Sequence, residues 1–231
     1  MMNKKIICWI FIICIVNAIP ACKNRTGNVV ASQIYYDYRI EGNEDDNQVT
    51  CRLQFRMGGP NGATLVVSPT GKVLLDGREL PVDSAGFTGA FYEQTSPVEE
   101  FKGHHIISFY YPGEDPIKEE FDFVPFRLAK EPPDEIGMND LALDLTDFPD
   151  AQTPVHLVIT DTAYQTTDIN QTVDVKNARL IITKDMLARL KSGPVTIEIT
   201  REENKNLEKL SKAGGRLLIS YGLKRDLNLN P

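Results

Sequence analysis

The chain has 231 residues, 42% of them hydrophobic and 25% charged, which is typical of a globular protein with a sizeable core. Its formal net charge of −7 argues against nucleic acid and against anionic lipid headgroups as partners, because both require clustered basic side chains. The length allows one large or two small domains.

Residues 1–21 are predicted to be a signal peptide. Lys4 and Lys5 precede an apolar run from Ile6 to Val16. The run has the length of a signal-peptide core and is shorter than the roughly 20 residues needed to span a bilayer. Because such a leader directs export, we expect the mature chain to lie outside the reducing cytosol.

The stretch IPAC at residues 19–22 resembles the lipobox of bacterial lipoproteins. The resemblance implies that Cys22 is lipidated and becomes the first mature residue, and that residues 22–30 form a polar tether. The alternative is ordinary signal cleavage after Ala18, which would leave Cys22 able to pair with Cys51.

The clearest strand of the first half is predicted at residues 49–57, where apolar and polar side chains alternate. Cys51 falls on the apolar face of this strand, so we expect a core thiol rather than a catalytic one. A tyrosine-rich strand is predicted at residues 32–40. The acidic segment 41–47 between the two strands is expected to be a solvated hairpin loop, with calcium binding as the alternative.

Strands on either side of the turn PGEDP at residues 112–116 are predicted to form a second hairpin or a longer strand connection. His104 and His105 open its first strand, so their rings should point to opposite faces and cannot jointly hold one metal ion. Together with His156, they are expected to be ordinary surface histidines.

In the second half, alternating apolar residues predict strands near residues 141–146, 155–159, 195–200 and 217–223. One short helix is predicted between Thr183, which has the character of an N-cap, and the stop signal Gly193-Pro194. The highly charged segment 202–212 is interpreted as a solvated connection with helical character.

Strands spaced by roughly ten residues predict an all-β chain of two tandem immunoglobulin-like β-sandwich domains, with one short helix in the second. The polar segment around Pro132-Pro133 marks the expected boundary, which divides the chain into residues 31–130 and 131–231. In its alternation and turns the chain resembles envelope lipoproteins built of such domains.

The sequence contains no HExxH, GxSxG, Walker or GxGxxG motif, so we expect no enzyme, no catalytic residue, no metal site and no cofactor. The interpretation is a bacterial envelope lipoprotein that acts as a scaffold or protein-binding module. It would be held at the outer membrane, on the periplasmic or the surface face, by lipid on Cys22, and would bind an envelope protein.

The alternative interpretation is a lipoprotein that binds glycan or calcium at the sandwich loops. A glycan would need an aromatic stacking surface. The aromatic candidates for that surface are Tyr35, Tyr36, Tyr38, Phe91, Tyr92, Tyr110 and Tyr111.

Overall fold

Strands dominate the computed structural model, which describes residues 29–85, 89–149, 153–161, 169–207 and 210–231. The strands are β1 Ile34–Asn43, β2 Gln48–Met57, β3 Lys72–Leu75, β4 Arg78–Glu79, β5 Val82–Ala85, β6 Gly89–Pro97, β7 Gly103–Tyr110, β8 Ile117–Phe123, β9 Arg127–Leu128, β10 Glu135–Ile136, β11 Leu141–Thr146, β12 Thr153–Asp161, β13 Ile169–Val175, β14 Arg179–Ile182, β15 Gly193–Asn206 and β16 Gly215–Leu229. The α-helices among these residues are α1 Val98–Phe101 and α2 Lys184–Leu187.

One large sheet runs through both halves of the chain. Its strand order is β13-β12-β15-β16-β1-β2-β6-β5, and β10 pairs with the C-terminal end of β16 at Asn228 and Leu229. Among the described residues, all strand pairs of this sheet are antiparallel except two, and both of these involve β16. β16 runs parallel to β1, from the Tyr36–Gly215 pair to the Asn43–Gly222 pair, and parallel to β10. The last strand therefore joins the first one side by side.

Two smaller sheets form the second layer, with the orders β4-β3-β7-β8 and β14-β11-β9. In the first half, Phe109 of β7 stacks on Phe55 of β2 with 4.7 Å between ring centroids. In the second half, Leu143 of β11 belongs to the same buried cluster as Leu157 of β12. The prediction of an all-β chain built as two tandem sandwiches is confirmed.

Period-two alternation builds this core, as the sequence predicts. On β2, the side chains of Val49, Cys51, Leu53 and Phe55 are fully buried. Cys51 is a free, buried thiol, and burial raises its pKa far above the usual range. The expectation of an inert core thiol agrees with this environment.

Both predicted hairpins are present, as β1–β2 and β7–β8. The predicted helix is α2, where the hydroxyl oxygen of Thr183 accepts a hydrogen bond from the backbone N–H of Met186 at 3.3 Å. Helix α1 lies in the first half and was not predicted, because four residues carry too little periodicity to reveal a helix.

The helical expectation for residues 202–212 is wrong over its first part. β15 continues to Asn206, which pairs with Arg216 of β16. The residues of this segment favour a helix only weakly. Backbone hydrogen bonds to β16 outweigh that preference and keep the segment in the strand. Beyond the strand, Leu207 is buried, while residues 208 and 209 lie outside the described residues.

Strand pairing and hydrogen bonds connect the two halves of the chain near the predicted domain boundary. β9 precedes residue 130 but pairs with β11 of the second half. Arg225 of β16 donates hydrogen bonds to both carboxylate oxygens of Glu131, at 2.5 and 2.8 Å, and a third at 2.6 Å to Glu44 of the β1–β2 loop. The division into residues 31–130 and 131–231 stays a prediction.

Candidate protein-binding face

The outward side of the large sheet carries a cluster of arginines where β1, β2 and β16 meet. Alternation buries Tyr36 and Tyr38 of β1 in the core, so Asp37 and Arg39 point to the opposite side. The strand register places Arg216 beside Asp37 and Arg52 beside Arg39. We call the outward residues Arg39, Arg52, Arg56 and Arg216, with Asp37 among them, the arginine face.

Asp37 is the centre of this face and is only 3% exposed. Arg216 donates to both of its carboxylate oxygens, from Nε at 2.8 Å and from Nη2 at 3.3 Å. The Nε atoms of Arg39 and Arg56 lie 3.6 and 3.7 Å from the same carboxylate.

The electrostatic balance around Asp37 favours its charged form. Burial raises the pKa of this carboxyl, but the hydrogen bonds from Arg216 and the charges of the three neighbouring arginines outweigh burial. The pKa of Asp37 therefore lies below its ordinary value, and we expect the group to be a carboxylate at neutral pH.

Donors exceed acceptors on the arginine face. Each guanidinium has five N–H donors, whereas one carboxylate offers about four acceptor positions. Arg56 uses two nitrogens on the side-chain oxygen of Gln54 at 2.5 Å and the carbonyl of Gly62 at 3.3 Å. Its Nε is buried and has no hydrogen-bond acceptor among the described residues.

Apolar and aromatic groups accompany the arginines. Arg52 is bonded to Glu93 at 2.5 Å, and its guanidinium carbon lies 4.9 Å from the ring centroid of Phe91. Leu218 of β16 is half-buried beside Arg39, whereas Phe91 is only 7% exposed. Met57 at the end of β2 is in phase with the buried Phe55 and so belongs to the opposite side of the strand. Arginine and aromatic residues are among the types enriched in protein–protein interfaces, whereas lysine is depleted there.

A polar cleft of about 250 Å³ lies elsewhere on the large sheet, next to the β1–β2 loop. Its lining residues are Gly42, Asn43, Asp45, Glu198, Thr200, Gly222, Leu223 and Lys224. None of them is aromatic. The glycan or calcium alternative would place its ligand here, and it stays untested.

His105 contradicts the expectation of three surface histidines, because it is only 7% exposed. Its ring stacks on Phe101 with centroids 4.0 Å apart. Nδ1 lies 2.7 Å from a carboxylate oxygen of Asp76, and Nε2 lies 2.6 Å from the carbonyl oxygen of Phe101. Both ring nitrogens of His105 are therefore engaged inside the protein. The ring links β7 to α1 through Phe101 and has no nitrogen available to act as a general base.

The other candidate residues stay apart. His104 and His156 are exposed on different strands. Tyr36, Tyr38 and Tyr92 are buried, so the aromatic candidates do not form one stacking surface. Within the described ranges, no group of three or more His, Cys, Asp or Glu side chains is placed to hold a metal ion.

The anchor prediction falls outside the structure. Cys22 and the tether up to residue 28 lie outside the described residues, and Val29 is the first residue that the structure describes. In the part of the chain that is described, no helix combines the length and the apolar character required to span a membrane.

The sequence reveals only part of the arginine face. Arg52 and Arg56 stand at polar positions of an alternating strand, so their outward direction is predictable. The approach of Arg216 to Asp37 is not, because it depends on a parallel pairing between the first and last strands. No short motif marks such a pairing, and sequence reasoning therefore missed the site.

No protein-family model matches the chain, and a search of the curated proteins finds no match. Solved structures that are similar include the tandem Ig repeats of Dlar (8% identity, 85% of this chain and 96% of that chain, TM-score 0.25) and DIP-gamma IG1+IG2 (9%, 84% and 99%, TM-score 0.25). A 1.5-MDa bacterial ice-binding adhesin also matches (10%, 87% and 66%, TM-score 0.25). These scores are too low to carry an argument, and the fold rests on the strand topology described above.

Proposed function

We propose that the protein is a non-enzymatic, protein-binding module of the bacterial envelope, held at the outer membrane by lipid on Cys22. The observation that carries the binding role is the composition of the arginine face. The sheet surface there combines partly exposed arginines, one of them over the ring of Phe91, with the half-buried Leu218, and such a mixture is typical of protein interfaces.

The sheet itself suits this role. Strand pairs on both sides of β1 and β16 hold the arginine face in place, so its side chains are presented by a rigid scaffold rather than by loops. Preorganisation of this kind lowers the entropic cost of binding. The lipobox-like stretch at residues 19–22 supports the anchor, and the polar tether would leave the sheet accessible to a neighbouring protein.

Site-specific photocrosslinking tests the binding role in cells that produce the protein. A photoreactive residue replaces Leu218 on the arginine face, and in a matched control it replaces Thr172, which is exposed on β13 of the same sheet. We expect a discrete protein adduct from position 218 and none from position 172. Equal adducts from both positions, or no adduct at either, would contradict the proposal.

A further inference from the structure

The arginine face has a specific charge imbalance that points to the chemistry of a partner. Its four guanidinium groups meet two carboxylates, Asp37 and Glu93, which leaves an excess of two positive charges. The chain as a whole is acidic, with a net charge of −7. Glu41, the next outward residue of β1, is exposed and marks one limit of the face.

The positive groups remain accessible even though Asp37 is buried. The side chains of Arg39, Arg52 and Arg216 are 40%, 44% and 37% exposed. Arg39 makes a single long approach of 3.6 Å to Asp37, which is beyond hydrogen-bond distance. Exposed guanidinium groups that are already fixed in direction lose little entropy when they receive a further acceptor.

From this geometry we infer that the arginine face binds an acidic polypeptide, whose Asp or Glu carboxylates take up the unused donors of Arg39, Arg52 and Arg216. This inference rests on the proposed binding role of the same face. Guanidinium groups match carboxylates in a two-point geometry. The half-buried Leu218 beside Arg39 favours a polypeptide over a free anion, because a partner with side chains can also cover apolar area.

A binding assay with a defined probe tests the inference. The detergent-solubilised full chain is titrated into a short labelled peptide of alternating glutamate and alanine, and a glutamine–alanine peptide of equal length serves as the neutral probe. We expect the acidic peptide to bind, the neutral one to bind at least about tenfold more weakly, and the difference to shrink as salt screens the charges.

Two double variants separate the face from net charge. Arg39→Gln with Arg52→Gln removes the two positive charges that the face has in excess. The control is Arg127→Gln with Arg179→Gln, which removes the same charge from exposed arginines that are also paired with carboxylates elsewhere on the protein. We expect at least a tenfold loss of acidic-peptide affinity in the first variant and less than a twofold change in the control.

The outcomes distinguish an acidic polypeptide from phosphate and from anionic lipid as the ligand of the arginine face. Equal losses in both double variants, or no binding of the acidic peptide by the wild type, would overturn the inference. Binding of inorganic phosphate or of phosphatidylglycerol vesicles in place of the peptide, with the same sensitivity to Arg39 and Arg52, would also overturn it.

The Leu218 crosslink keeps this inference distinct from the proposed function. An adduct that persists in the Arg39 and Arg52 double variant would preserve the binding role and overturn the acidic partner. Loss of the adduct in that variant, with its retention in the Arg127 and Arg179 control, would support the acidic partner.

Discussion

Arg216 donates two hydrogen bonds to the buried carboxylate of Asp37 across the parallel junction of β16 and β1, and so connects residues 179 positions apart. The contact lies where the two sandwiches share one sheet. The ion pair accompanies the backbone pairing of the two strands and fixes the direction of Arg216 on the arginine face.

We expect Asp37→Asn to lower the free energy of unfolding by about 1–3 kcal/mol, because it removes the buried charge that accepts from Arg216 and turns an amide N–H group toward the neighbouring guanidinium groups. Chemical denaturation at neutral pH measures the loss. Asp174→Asn is the control, since Asp174 is exposed on β13. A loss in Asp37→Asn no larger than the control's would show that the arginines do not depend on this group.

The same pair predicts a dependence on pH. The pKa of Asp37 is lowered in the folded protein, so its contribution to stability is present above the unfolded-state value of about 3.9 and is lost as the pH falls through the folded-state value. The stability difference between wild type and Asp37→Asn should therefore be constant near neutrality and shrink below about pH 4. A difference that grows on acidification would contradict this assignment.

Gly42 occupies a site where the two layers touch. A Cβ at this position would lie 2.8 Å from the ring of Phe123 and 3.1 Å from Tyr221. Since both rings are buried, we expect Gly42→Ala to cost about 1–3 kcal/mol through overpacking. Thermal or denaturant unfolding checks this, and Gly137→Ala, which meets nothing closer than 3.4 Å, should be nearly neutral.

The continuous sheet predicts that the two halves unfold together. β16 pairs with β15 on one side and with β1 on the other, so neither half can lose its strands without exposing the edge of its neighbour. Along a denaturant titration, labelling of the buried Cys51 reports the first half and amide exchange in β14 reports the second. We expect one shared midpoint. Two separate midpoints would instead favour independent domains at residues 31–130 and 131–231.

For the anchor, we expect Cys22→Ser to move the protein from the membrane to the soluble fraction without changing its unfolding midpoint. The mature wild type should exceed the mass of residues 22–231 by that of its lipid. Cys51→Ser is the matched control and should remain at the membrane, because Cys51 is a core thiol. A mass that matches residues 19–231 with a disulfide between the two cysteines would contradict the lipobox assignment.

The sequence by itself determined the local structure. Alternation in β2 predicted which side chains are buried, including Cys51, because a strand turns successive residues to opposite faces. The Thr183 cap predicted the start of α2, because the hydroxyl satisfies a backbone N–H only a few residues away. Both patterns involve residues that are close in the sequence, so they can be recognised without knowledge of the tertiary structure.

The tertiary structure alone decided the long-range pairings. The parallel contact of β1 with β16 follows from how two sandwiches pack, and the sequence of neither strand specifies it. The burial of His105 is also a tertiary effect, because Asp76 and Phe101 pack around its ring only in the folded protein. Polar residues such as Asp37 and Arg216 acquire their role only when distant strands meet, because the energy of an ion pair depends on separation and burial rather than on position in the chain.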